Sequence, residues 1–295
     1  MFAVRNVSKA LILTDSHMQN GEDCMGTVEN YYDKKSASYE SIRRSLVFRV
    51  YDAITWKYLE PYVPTSADSL VLDAGGGNGR WTIPMAKRGC KVILVDLSEG
   101  MLNVANQKVT EEGLQSRIEI RKGDIRKLDY PNETFDLVFS DHTLFLFDEP
   151  DEVVSELARV LKPNALIILS AQNRLVQTLA HLPDDPTTNP EILQKAYKVL
   201  HRQEHSMLSQ EPPIKIHTLT PDEFRNLLER NGLNIERMVC KLATMPLRLS
   251  PQFIMKTDSP EEIVSSVLKL ELAFSERSDA VALGGHIQAI ARKKH

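Results

Sequence analysis

The chain has little cysteine: three residues in 295, Cys24, Cys90 and Cys240, with no C-x-x-C pair. So sparse and odd a set suits a reducing, cytoplasmic compartment better than a disulfide framework. No apolar run approaches the ~20 residues that a transmembrane helix needs. The N-terminal "MFAVRNVSKALILTDSH" is too short and too broken in its apolar run for a secretory signal. Basic charge is not in excess either. The formal net charge is −4, which argues against a general nucleic-acid partner. Internal repeats and low-complexity tracts are absent. What remains, 42% apolar and 26% charged residues, is the composition of an ordinary globular protein. The length allows one large α/β domain with insertions or two small ones.

Glycine is scarce except in one place. "VLDAGGGNGRWTIPMAKRG", residues 71–89, joins an apolar run to an acid, Asp73, and then to Gly75, Gly76, Gly77 and Gly79. Around it, "SLVLDA" (69–74), "KVILVDLS" (91–98), "RIEIRKGD" (117–124), "FDLVFSD" (135–141) and "ALIILSAQN" (165–173) read as five strands. Helical patterns separate them. Ser98 is expected to cap a helix whose inner face carries Met101, Leu102, Ala105 and Val109. "DEVVSELARVLKP" (151–163) reads as an amphipathic helix stopped by Pro163. Alternation of this kind predicts a doubly wound, mostly parallel sheet with helices on both faces.

The expected organisation has seven segments. Residues 1–26 read as a poorly ordered extension, with a natural start at Met25. Residues 27–65 form an N-terminal helical cap and 66–173 the core. Residues 174–217 form a helical lid, including "NRLVQTLAHL" and "PEILQKAYKVLHRQEHSML". Residues 218–244 continue the core, 245–283 make a second cap, and 284–295 close with the last strand.

Three ligands compete for the glycine loop. A P-loop fails, because no Lys-Ser or Lys-Thr follows the glycines. The dinucleotide fingerprint is incomplete, because Arg80 stands at the third glycine position. Asp96, at the end of the second strand, still suits ribose hydroxyls. The remaining spacing is D-x-G-x-G-x-G, from Asp73 to Gly79.

With "VLDAGGGNG", "VDLSEGML", "GDIRKLDYPNETFDLVFS" and "ELARVLKPNALIILS" in order, the chain resembles the class I S-adenosylmethionine (SAM) dependent methyltransferases, nearest the ubiquinone/menaquinone-type small-molecule branch. The resemblance covers residues 45–173, with echoes at 218–240 and 285–293. It implies a Rossmann-like seven-stranded sheet that binds SAM and releases S-adenosylhomocysteine. It places Asp73, Gly75 and Gly77 at the amino-acid end and Asp96 at the ribose. Leu97, Met101, Asp124 and Ile125 fall at the adenine, and Ser140 near the methionine part. Tyr32, beside Tyr31, belongs to a cap that closes over the ligand. The family's Lys-Pro-Gly-Gly turn is here Lys162-Pro163-Asn164-Ala165, and Asn tolerates the left-handed position.

His142 is the candidate base, and Asp141 the alternative that orients an acceptor ammonium. His286 reads as packing. Asp129 and Asp136 read as turn residues. His201 and His205 lack a third partner, so no metal is expected. The expected reaction is methyl transfer to N or O of a small molecule, with a homodimer left open. Two other readings also stay open: an NAD-type oxidoreductase, and a protein that binds SAM or S-adenosylhomocysteine without transferring a methyl group.

Overall fold

The computed structural model describes residues 24–180, 190–201, 206–208, 214–244 and 256–294. Two helices lead, α1 (Cys24–Arg43) and α2 (Leu46–Leu59). The core then runs β1 (Leu70–Ala74), α3 (Thr82–Lys87), β2 (Lys91–Asp96), α4 (Glu99–Glu111), β3 (Ile118–Lys122), β4 (Phe135–Ser140), α5 (Pro150–Val160) and β5 (Leu161–Gln172). Next come α6 (Arg174–Ala180), α7 (Pro190–Leu200) and the strand pair β6 (Ser206–Leu208) and β7 (Ile214–Ile216). α8 (Pro221–Arg230), β8 (Leu233–Lys241), α9 (Glu261–Ser275) and β9 (His286–Lys293) complete the chain. Residues 1–23, 181–189, 202–205, 209–213, 245–255 and 295 fall outside the described residues, and the expectations made for them, His205 included, lie there.

Seven strands form one sheet in the order β3-β2-β1-β4-β5-β9-β8. β1 to β5 are mutually parallel, while β9 runs antiparallel to both of its neighbours. Alternate strand residues feed two cores. Leu72, Ala74, Ile93 and Val95 meet α5 and α8 on one face. Val71, Val92, Leu137, Phe139 and Ile290 meet α2, α3 and α9 on the other. This period of two is the alternation of a sheet covered on both sides.

Local chemistry explains the boundaries. The Ser98 hydroxyl accepts from the Met101 N–H at 3.1 Å and starts α4. The inner face expected for α4, Met101, Leu102, Ala105 and Val109, is buried. Thr220 and Glu223 form a reciprocal capping box at α8. Asn164 takes a left-handed φ of 60° near the start of β5, where the pairing with β4 shifts register between Phe135 and Leu137, so the Lys162-Pro163-Asn164-Ala165 segment is an irregularity within the strand.

Two expectations need correction. The helix expected over 151–163 ends at Val160. The carbonyls of Arg159 and Val160 accept from the Glu133 and Thr134 N–H groups, and Lys162 precedes a proline, which disfavours helix. The helix expected to continue through residue 208 stops at Leu200. Ser206–Leu208 instead pairs antiparallel with Ile214–Ile216, so the segment expected to be a helical lid also carries a hairpin. Ile214-Lys215-Ile216 has the strand period.

Candidate active site

The strand order reverses between β1 and β4. Ligands of open α/β sheets bind at such switch points, beyond the carboxyl ends of the strands. Here the glycine loop after β1 meets residues 141–143 after β4. Gly75, Gly77 and Gly79 have φ of 73°, 53° and 76°, a region that side chains rarely adopt. A Cβ at Gly75 would lie 2.5 Å from the Thr143 side chain. At Gly79 it would sit in ordinary contact, 3.4 Å from Ala105 of α4, so there the left-handed φ is what calls for glycine.

The loop walls a cavity of about 820 Å³, open solvent included. Its lining includes Tyr32, Tyr39 and Arg43 from α1, with Gly75, Gly76 and Gly77 from the loop. Asp96, Leu97, Met101 and Ile125 line one end, and Asp141, His142 and Thr143 line the other.

At the first end, Asp96 Oδ2 accepts from the Gly77 N–H and Oδ1 from the Ser98 N–H, each at 2.9 Å. Burial pushes its carboxyl above the usual range, against the pull of those two N–H groups. Each oxygen keeps lone-pair capacity, so the carboxylate can accept further from paired hydroxyls. α1 is fastened over this end. Asp33 Oδ1 accepts from the Ser98 hydroxyl at 2.6 Å and from the Gly100 N–H at 2.8 Å. Glu40 accepts from the Asn78 amide at 2.7 Å and pairs with Lys108.

Three of the expected residues stand behind the walls. Asp73 is 1% exposed and accepts from the Thr82 hydroxyl at 2.5 Å, so it ties the loop to α3. Burial raises its carboxyl to about 7. The Ser140 hydroxyl donates to the Ala74 carbonyl at 2.7 Å, beneath the loop. Asp124 is held by Arg126, at 2.6 Å, and its neighbours Gly123 and Ile125 form the wall. Burial raises the Asp124 carboxyl, but Arg126 outweighs it and leaves a net lowering. Asp136, expected in a turn, accepts from the Leu70 N–H at 2.9 Å and pairs with Lys162.

The other end holds a buried polar cluster. Asp141 Oδ1 accepts from the Tyr51 hydroxyl at 2.8 Å and from Lys241 Nζ at 2.7 Å. Burial alone would raise this carboxyl. The adjacent ammonium reverses that and holds it well below the usual range. His142 has a φ of 58°, and its N–H donates to the Ser170 hydroxyl at 2.8 Å. Burial, and next the charge of Arg43, lower its imidazole to about 4, so it is neutral at physiological pH. His286 lies 5.1 Å from His142, ring to ring, and packs edge-on to Tyr51.

Lys241, Tyr51, Arg43 and Thr143 are site residues that the sequence reading missed. Only Lys241 left a signal, a lone charge within the apolar "MVCKLA". No group of three or more potential metal ligands occurs among the described residues.

Glycine loop, strand-end carboxylate and strand order together make a Rossmann-like core with its ligand site at the switch point. Residues 72–169 match the family described as "Methyltransferase domain". Phosphatidylethanolamine N-methyltransferase of Cereibacter sphaeroides is 38% identical over 34% of this chain and 48% of its own length. Demethylmenaquinone methyltransferase of Lactiplantibacillus plantarum is 35% identical over 42% and 51%. The chain thus spans about half the length of these curated relatives. An S-adenosylmethionine dependent methyltransferase structure from Mesorhizobium loti superposes with a TM-score of 0.54 at 19% identity, over 81% of this chain and 97% of that one. At that identity the likeness is one of fold.

Proposed function

We propose that the protein transfers a methyl group from SAM to a nitrogen or oxygen of a small-molecule acceptor. The observation that carries this reading is the placement of Asp96 and the Asp141–His142 pair at opposite ends of one cavity behind the glycine loop. The adenosine end fits Asp96, Leu97, Met101 and Ile125. The amino-acid end fits the loop, with Asp73 as the residue that braces it. SAM supplies a methyl group already activated by its sulfonium. The protein's task is then to orient the acceptor and exclude water, which supplies a large share of rate enhancement in such sites. α1 roofs the cavity and limits it to small acceptors.

His142, neutral and lowered to about 4, is a weak base. An amine that arrives unprotonated needs no base, so nitrogen suits this site better than a hydroxyl. The relative that acts on phosphatidylethanolamine is in keeping with an amine acceptor.

Incubation with SAM and a panel of amine, hydroxyl and quinol acceptors tests the reading. The expected result is S-adenosylhomocysteine released in step with a methylated acceptor, fastest for an amine. Binding of SAM without release across the panel would leave a binding protein and remove the transferase.

A further inference from the structure

Lys241 brings a charge into a dry part of the site without lining the cavity. Its side chain is fully buried, and that of Asp141 is 2% exposed. Nζ donates to Asp141 Oδ1 at 2.7 Å and to the Thr55 hydroxyl at 3.1 Å, and it lies 4.1 Å from the Tyr51 ring centre. The Tyr51 hydroxyl donates to the same Oδ1. Tyr51 does not line the cavity either, whereas Asp141 does. Both donors therefore hold one oxygen of a carboxylate that borders the cavity. The other oxygen, Oδ2, is buried and has no hydrogen-bond partner among the described residues. Such an oxygen is costly in a dry place until a donor reaches it. A buried ion pair is often no more stabilising than apolar side chains of the same volume, so stability alone does not account for this one.

Other titratable groups act on the same carboxylate. They are Asp73 of β1, Arg80 beyond the glycine loop, His286 of β9 and the adjacent His142, with Arg43 of α1 beside Tyr51. Among the described residues only Lys241 forms an ion pair with it.

We propose that Lys241 is a positioning residue for methyl transfer, which holds Asp141 by Oδ1 and leaves Oδ2 to receive an N–H of an amine acceptor. The proposal rests on the SAM and amine readings above. In the step, the nitrogen lone pair forms the N–C bond as the C–S bond breaks and its electron pair stays on sulfur. The positive charge passes from sulfur to nitrogen, where Asp141 stabilises it, and the methylated amine leaves as an ammonium. Asp141 takes no proton.

Sinefungin tests this without a known acceptor. It is SAM with the methyl-bearing sulfonium replaced by a carbon that carries an amine, so its ammonium stands where the new N–C bond would form. S-adenosylhomocysteine lacks that group. Calorimetric titrations give the ratio of the two affinities at pH 5.5 and at pH 8. Wild-type protein should prefer sinefungin by about tenfold or more at both, the worth of a charged hydrogen bond. Asp141→Asn should lose the preference. In Lys241→Met the preference at pH 5.5 should fall by at least about fivefold relative to wild type, because burial without the ammonium raises the Asp141 carboxyl. Asp73, raised to about 7, titrates in both proteins, so the comparison isolates Asp141. A preference that Lys241→Met leaves unchanged, or equal weakening of both ligands, overturns the proposal. Equal affinities in the wild type do the same. If Lys241→Met does not fold, a preference that survives in Asp141→Asn overturns it. Wild-type protein that binds neither ligand removes the cofactor reading itself.

Discussion

Asp73 and Asp96 end adjacent parallel strands and do different work. Asp96 reaches the cavity wall, while Asp73 is sealed beneath the loop with the Thr82 hydroxyl as its partner. Burial raises Asp73 to about 7, above the usual carboxylate value. A carboxyl raised on folding binds more protons in the folded state than in the unfolded one. Its contribution to stability is therefore fullest below the unfolded value and falls as the pH rises through about 7. Asp73→Asn keeps an oxygen for Thr82 and cannot ionise. Relative to wild type it should gain stability between pH 5 and pH 8, by roughly 1.4 kcal/mol for each pH unit from 5 up to about 7 and no further above that. Urea unfolding at the two pH values checks this, and a difference that does not change with pH would contradict it. Asp96 was legible in the sequence because it follows the glycine loop by one strand and one helix. The Tyr51–Asp141–Lys241 cluster was not. It joins residues 90 and 100 positions apart, a pairing that only the tertiary fold creates.

The core strands and helices were legible because each repeats apolar residues at its own period and carries its own start signal, as at Ser98 and Thr220. Where local pattern and tertiary demand diverged, the sequence misled. α5 stops early because the loop before β4 takes its last carbonyls, and β6 looked helical until its pairing with β7 was visible. α1 lies over the cavity. It is fastened by Asp33 to the start of α4 and by Glu40 to Asn78 and Lys108, and it contributes Tyr32, Tyr39 and Arg43 to the cavity. Binding of S-adenosylhomocysteine should therefore slow amide hydrogen exchange in α1 by at least about tenfold, and leave α8, which does not line the cavity, unchanged. Mass-spectrometric exchange reads both helices in one experiment. Equal protection of both, or of neither, would contradict the roofing role of α1.

At the scale of the whole molecule, the order β3-β2-β1-β4-β5-β9-β8 brings the glycine loop and the Asp141–His142 turn to one switch point. The parallel core and its ligand end could be read from strand–helix alternation. The position of β9 between β5 and β8 could not, because antiparallel insertion of a last strand leaves no local mark. No helix among the described residues is long and apolar enough to cross a membrane. The central claim is that this sheet presents an adenosyl-amino-acid site whose ribose acceptor is Asp96. Calorimetric titration with S-adenosylhomocysteine, on wild type and Asp96→Ala, tests it most directly, with NADH as the competing ligand. The account predicts one site per chain, an affinity ten- to a hundredfold weaker in Asp96→Ala, as expected at about 1.5–3 kcal/mol for charged hydrogen bonds, and no NADH binding. Unchanged affinity in Asp96→Ala, or NADH binding as tight as S-adenosylhomocysteine, would contradict it.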